Sequence, residues 1–362
     1  MASLSRSRSR HTSSRSTASG HTATRHAASA TLTALLALSL AGCGSTPPER
    51  PAPGGAAPSH SAAPASDTHE RLRVGAATRS YLLHRPGGDR QDRPRPLLLA
   101  FHGRGETAED MRERGRLDKA AGARGMLVAH LEAVRKMWSA DTTPTPQRPD
   151  PNVDIHFAEK LISTLVRGGE ADPKRVYAVG FSNGGSMALR LAAQRPGTVA
   201  GAASVSGQLA AGPARTGPSG PVSVMIVYGA DDRVRPMAGV PNPPPPAAGQ
   251  EPMTATVSTR AGAEAFARAA GTKPPVTEKR PGYDRIRWAP GAPGKAPVEL
   301  LVMHDAGHTW PGSTVPPPPR FGRTSTSLNA TNTVLDFLTG IGTKAGAGTK
   351  AKTSPESETG TP

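Results

Sequence analysis

Cysteine is almost absent: Cys43 is the only one in 362 residues, which excludes an internal disulfide and any cysteine-based metal site. Aromatic residues make up only 4 %, and no stretch interleaves them with basic residues in the manner of a nucleic-acid-binding surface. No acidic residue precedes Glu49, and no internal repeat runs through the chain. The apolar run ATLTALLALSLA, which ends at Ala41, is too brief for a comfortable membrane span.

Basic residues are plentiful, with 44 Lys and Arg against 28 Asp and Glu and a formal net charge of +16. They are scattered, and Arg6, Arg8, Arg10, Arg15 and Arg25 fall in the first 27 residues. A solvated basic surface facing an anionic envelope fits this distribution better than a nucleic-acid partner.

The arginine-rich start, the short apolar run and the small residues before Cys43 form a secretory signal pattern, and Leu40-Ala41-Gly42-Cys43 resembles a bacterial lipobox. The expectation is a lipoprotein signal peptide over 1–42 and lipidation at Cys43, anchoring an exported protein to the outer membrane leaflet. An ordinary signal peptide with an incidental cysteine is the alternative. Residues 43–69 are rich in Pro, Ala, Ser and Gly and read as a disordered tether, and 342–362 as a matching tail. Residues 70–341 remain for one α/β domain with a substantial core.

The stretch RVYAVGFSNGGSMALRL, from Arg175 to Leu191, organises that domain. Val176 to Val179 read as a buried strand, Gly180-Phe181-Ser182-Asn183-Gly184 as a sharp turn, and the residues from Ser186 as a helix. This is the pattern of a nucleophile elbow, which lifts Ser182 to a helix N-terminus where developing negative charge is favoured. A G-x-S-x-G string alone is weak; its strand and helix setting and the partners downstream are independent requirements.

Ahead of the elbow, two antiparallel edge strands are expected around Arg71–Val74 and Arg79–His84, then a buried central strand over Leu97–Phe101. Thr107 to Ala121 reads as a helix, Met126–Leu131 as a strand, and Met137–Pro151 as a loop over the site face headed by Trp138. Asp154 begins a helix, as a cap or first-turn charge. In an α/β-hydrolase the loop after the central strand supplies one oxyanion-hole N–H and the residue after the nucleophile the other, which nominates Arg104 and Asn183. His102 reads as a structural tie for that loop rather than a catalytic group.

Beyond the elbow, strands are expected over Val199–Gly207 and Pro221–Gly229, with Asp231 and Asp232 directly after the second. A carboxylate at a strand end is what fixes the tautomer of a catalytic histidine. Only His304 and His308 follow. His304 ends the apolar run Val298–Met303, whereas His308 lies in the loop AGHTWPG and is free to swing over the sheet end. The order Ser182, Asp232, His308 is the α/β-hydrolase order.

VGFSNGG, the spacing of Gly229, Asp232 and Pro236, GHTWPG, RSYLLHRP and DPKRVYAVG together resemble the secreted esterase family of polyhydroxybutyrate depolymerases and feruloyl or acetylxylan esterases. The resemblance spans about Arg71 to Gly340. It implies Ser182 as nucleophile, His308 as base and Asp232, not Asp231, as orienting acid. It also places Trp310 beside the histidine as a substrate wall, with a core aromatic as the alternative. Three features depart from the family: no cysteine pairs, no proline after the strand that ends in AHLEAV, and a proline-rich insertion over Val240–Pro252. The last bears on substrate, because loops set substrate choice in this fold.

The expected activity is hydrolysis of a carboxylic ester, polymeric or small, through a Ser-His-Asp triad and an acyl-enzyme, without metal or organic cofactor. A serine peptidase on the same fold and a non-catalytic polymer-binding surface lipoprotein are the competing readings.

Overall fold

The computed structural model describes residues 64–88, 93–212, 217–292 and 295–341. The expected signal peptide, Cys43, the tether as far as residue 63 and the tail over 342–362 lie outside the described residues.

Among the described residues, ten strands form a single sheet. In chain order they are β1 (Ser66–Val74), β2 (Ala77–Arg85), β3 (Arg95–Phe101), β4 (Leu127–Leu131), β5 (Ala171–Phe181), β6 (Gly201–Val205), β7 (Ser223–Gly229), β8 (Val276–Arg280), β9 (Tyr283–Trp288) and β10 (Val298–Met303). Across the sheet the order is β1-β2-β4-β3-β5-β6-β7-β10-β9-β8. The six central strands run parallel, with antiparallel pairs at both edges. Six helices among the described residues cover it: α1 (Ala108–Gly115), α2 (Leu117–Gly122), α3 (Val153–Arg167), α4 (Asn183–Gln194), α5 (Thr259–Ala270) and α6 (Ala330–Thr339).

The central strands read as unbroken apolar runs because both of their faces are covered. Leu97, Leu99 and Phe101 of β3 join Val224, Ile226 and Tyr228 of β7 in a core with α3, α4 and α5. Leu98, Ala100, Met225 and Val227, one residue out of phase, enter a second core with α1, α2 and α6. Period-two alternation thus feeds two layers from the same strands.

Three expectations change. The first strand begins at Ser66, inside the stretch read as tether, because its residues through Val74 pair in register with β2. The helix expected over Thr107–Ala121 is two, since Arg116 after Gly115 takes a left-handed conformation with φ 45°. The chain between Asp232 and Val298, where no element was expected beyond the insertion, contains α5 and the hairpin of β8 and β9. Asp154 is a first-turn residue, as expected, and it is fully buried, bonded to Arg79 at 2.8 Å, and accepts the Ser139 N–H at 2.7 Å. Arg79 also lies 4.3 Å over the Phe157 ring. Asp154→Ala would strand a buried guanidinium and a buried N–H, so a loss of about 3–5 kcal/mol in unfolding free energy is expected in urea denaturation. A loss under 1 kcal/mol would show that the pair contributes little.

The topology also dictates where a site can form. From β3 the chain crosses to β4 on one side and then returns to β5 on the other, so connections leave the carboxyl ends of β3 and β5 in opposite directions. A crevice opens at such a switch point.

Candidate active site

Ser182 stands at that crevice, between the end of β5 and the start of α4. Its backbone has φ 53° and ψ −117°, a conformation L-residues rarely adopt and one that surrounding structure must enforce. A Cβ on Gly180 would lie 2.2 Å from Gly184 O, and one on Gly184 would lie 2.2 Å from Phe101 O. The two glycines are therefore what lets strand, turn and helix close up around the serine. The Ser182 N–H donates to Val205 O at 2.8 Å, tying the turn to the next strand.

Asp232 follows β7 and His308 follows β10, the parallel strand beside it. The Asp232 Oδ1 accepts the backbone N–H groups of Val234 at 2.9 Å and Arg235 at 2.8 Å. Its Oδ2 is left for His308 Nδ1 at 2.7 Å, and His308 Nε2 lies 2.7 Å from Ser182 Oγ. With a carboxylate on Nδ1, that nitrogen carries the proton and Nε2 is the acceptor facing the serine hydroxyl. Both His308 and Asp232 are buried, and the His308 ring is held between Phe181 at 5.3 Å and Phe321 at 5.0 Å. The neighbours do not compete: Asp231 is exposed, and His304 pairs with Asp284 at 3.2 Å.

Arg104 lies in the turn after β3. The Gly103 N–H donates to Glu106 Oε2 at 3.0 Å and the Gly105 N–H to Lys136 O at 2.8 Å. Between them the Arg104 N–H has no partner among the described residues, and neither has the Asn183 N–H in the first position of α4. Both nominated donors are thus uncommitted. The Asn183 side chain is committed: its Oδ1 accepts the Trp138 N–H at 2.7 Å and its Nδ2 donates to Trp138 O at 3.3 Å.

His102 is a tie. Its Nδ1–H donates to Gly103 O at 2.7 Å and its Nε2 accepts the Ala133 N–H at 3.1 Å. Burial pushes the imidazole below its ordinary value. The Trp138 indole N–H closes on His102 O at 2.9 Å, so the loop after β4 locks the turn after β3 and Asn183 together.

Trp310 is corrected. It is 1 % exposed, packs in the core beside α6 and donates its indole N–H to Thr331 Oγ1 at 3.0 Å. The ring is part of the core against α6, the alternative reading, and forms no substrate wall.

Sequence reading misses several residues here. Glu106 bonds Arg114, whose guanidinium lies 4.5 Å over the Phe181 ring, linking the Arg104 turn to the wall of His308. Glu251, near the end of the proline-rich insertion, accepts Arg104 Nη2 on its backbone carbonyl at 2.9 Å, and its carboxylate takes Thr145 at 3.1 Å and Arg148 at 3.0 Å. The insertion is thereby strapped to the turn after β3 and to the loop over the site. The only hint in the sequence was its position close to the acid.

Among the described residues, Asp67, His84 and Asp118 offer ligand atoms within 4.8 Å of one another, as a metal site would require. Arg112 bonds both carboxylates, and the group reads as an ion-pair network joining β1, β2, α1 and α2.

The profile described as Dienelactone hydrolase family matches residues 133–243. "Putative esterase NocK" of Nocardia uniformis subsp. tsuyamanensis is 41 % identical over 293 residues, which are 77 % of this chain and 84 % of that protein. Feruloyl esterase B of Piromyces equi is 29 % identical over 125 residues, 34 % of this chain and 23 % of that one. Among solved structures, a dienelactone hydrolase-like promiscuous phosphotriesterase from metagenomic libraries aligns with a TM-score of 0.50 and 16 % identity, covering 77 % of this chain and 99 % of its own. That likeness concerns the fold.

Proposed function

The chain belongs to the esterases of the dienelactone hydrolase-like α/β-hydrolases, and from that premise we propose that it is an exported serine esterase working through Ser182, His308 and Asp232. The observation that carries this is the continuous row from Asp232 Oδ2 through His308 to Ser182 Oγ, each link 2.7 Å long, beside two uncommitted backbone N–H groups.

In the proposed reaction Ser182 Oγ attacks the ester carbonyl while His308 Nε2 takes its proton. The oxyanion is met by the N–H groups of Asn183 and Arg104, fixed in advance by the Trp138, Glu106 and Lys136 contacts and therefore costing little reorganisation. His308 then gives the proton to the leaving alcohol, and water repeats the cycle on the acyl-enzyme. Charge appears on the imidazole in both steps, and the buried Asp232 carboxylate stabilises it. Every step is carried by the chain's own residues.

Export and attachment to the membrane through lipidated Cys43 form part of the proposal and rest on the N-terminal sequence. For the substrate, hydroxyalkanoate polyesters, feruloyl esters and acetyl esters are the candidates. Support comes from the GHTWPG and VGFSNGG motifs and from the partial likeness to a feruloyl esterase. Hydrolysis of p-nitrophenyl acetate and butyrate, with the acyl group located on Ser182 by peptide mass spectrometry, tests the reading. A folded chain that turns over neither ester overturns it.

A further inference from the structure

Five arginines are buried among the described residues: Arg79, Arg114, Arg148, Arg190 and Arg235. Four have a carboxylate or several acceptors, although Arg114 Nε and Arg190 Nε are buried without a partner. Arg79, Arg114 and Arg148 each bond a carboxylate. Arg190 has none but donates to Ser139 O and Pro151 O at 2.6 Å and to Asn152 Oδ1 at 2.7 Å. Arg235 is the exception. Its guanidinium makes one bond, from Nη1 to Thr254 O at 3.3 Å, and pairs with no carboxylate among the described residues. A guanidinium carries five N–H donors and stays charged, so one long bond to a neutral carbonyl leaves a cation without a counter-charge, and its other nitrogens, which are not among the fully buried unpartnered atoms, stay open to a ligand.

Its position gives that vacancy a meaning. Arg235 stands three residues after Asp232 and donates its backbone N–H to the Asp232 carboxylate, which in turn holds His308. Its side chain reaches Thr254, just beyond Glu251, whose carbonyl takes the Arg104 side chain. Arg235 therefore lies between the acid loop and the strap that closes on the Arg104 turn. Burial pushes its guanidinium down, and the Arg104 charge adds to this, while Tyr228 and the Asp232 and Asp141 carboxylates act the other way. Asp232 is engaged by His308, and Asp141 accepts the Thr143 N–H, so neither supplies the missing contact.

We propose that Arg235 is a subsite for a carboxylate carried by the ester itself, to which its guanidinium donates paired N–H bonds, so that the enzyme prefers anionic esters to neutral ones of the same size. This rests on the esterase reading above and names its substrate class. An oligomer of a hydroxy acid, which ends in a free carboxylate, has the required chemistry, and cleavage of its terminal ester bond would place that carboxylate on the alcohol side.

The test uses matched pairs. Mono-p-nitrophenyl succinate against p-nitrophenyl butyrate puts the charge on the acyl side; the linear 3-hydroxybutyrate dimer against its methyl ester puts it on the alcohol side. In at least one pair the wild type should favour the charged member by about 10- to 100-fold in kcat/KM, the range of charge-assisted hydrogen bonds. Arg235→Gln should erase that ratio mainly through KM, and Arg235→Lys, which keeps charge but not the planar fork, should retain part of it. The lysine variant also serves if the glutamine variant does not fold. No charge preference in either wild-type pair, or an equal loss on both members in Arg235→Gln, would overturn the proposal. Calorimetric titration with the free-acid dimer reads the subsite without turnover. Binding that Arg235→Gln abolishes supports the subsite even if no ester is cleaved, and absence of binding to the wild type counts against it.

Discussion

Ser182→Ala is expected to lower kcat on p-nitrophenyl butyrate by about 10⁴- to 10⁶-fold while KM stays within a few fold. The Ser182 hydroxyl is the proposed nucleophile, 2.7 Å from His308 Nε2, so the variant would retain the proposed base, the proposed acid and both backbone N–H donors but no atom to acylate. The remaining rate is what those donors and binding supply to direct attack by water. Alanine meets the same positive φ as serine and keeps the glycine contacts around it, so melting temperature should barely move. The readouts are single-turnover release of p-nitrophenol and the disappearance of the acylated peptide. Retention of more than a hundredth of the wild-type kcat would mean that another group carries the chemistry. His308→Ala should fall about as far, and the double variant no further, because the two act as one unit.

Asp232→Asn should cost about 10³- to 10⁴-fold in kcat near neutral pH, and the hydrogen bonds around it explain why so small a change does so much. In the wild type, Oδ1 is occupied by the N–H groups of Val234 and Arg235, which fixes which oxygen faces His308. An asparagine keeps its carbonyl oxygen on those two donors, since turning it round would oppose N–H to N–H. Its NH₂ group then faces His308 Nδ1, which must become the acceptor. The ring proton moves to Nε2, pointing at Ser182, and the base is lost. Stability should change far less than activity, and KM little. A kcat within tenfold of wild type would show that the carboxylate does not set the tautomer. Asp231→Asn, on an exposed neighbour, is the matched control.

The strap adds a constraint on engineering. Glu251 joins Arg104, Thr145 and Arg148, and Arg148 also holds Met137 O at 3.0 Å, next to the Trp138 that fixes Asn183. Changes at Glu251 therefore reach Arg104 through one contact and Asn183 through three.

Much of the layout is legible in the chain itself. The run Leu97–Phe101 and the β-branched run ending at Gly229 announce strands covered on both faces, because only such strands can dispense with polar alternation. The elbow announces itself because Gly180 and Gly184 sit where any side chain would collide with backbone. Chain order then narrows the acid to two adjacent aspartates and the base to two histidines. These are local or ordinal signals, and a linear sequence carries them intact.

What the sequence leaves open depends on which distant side chains meet, and separation along the chain carries no record of that. Arg79 and Asp154, 75 residues apart, turn an ordinary first-turn charge into a buried pair. Trp310 stands two residues from His308, yet the apolar side of α6 takes it into the core, since neighbours in a loop leave in different directions. Glu106, Phe321 and Glu251 gain their places only when the ends of β3, β5, β7 and β10 are brought side by side. The same assembly leaves Arg235 buried without a counter-charge, a property of its surroundings rather than of its position in the chain.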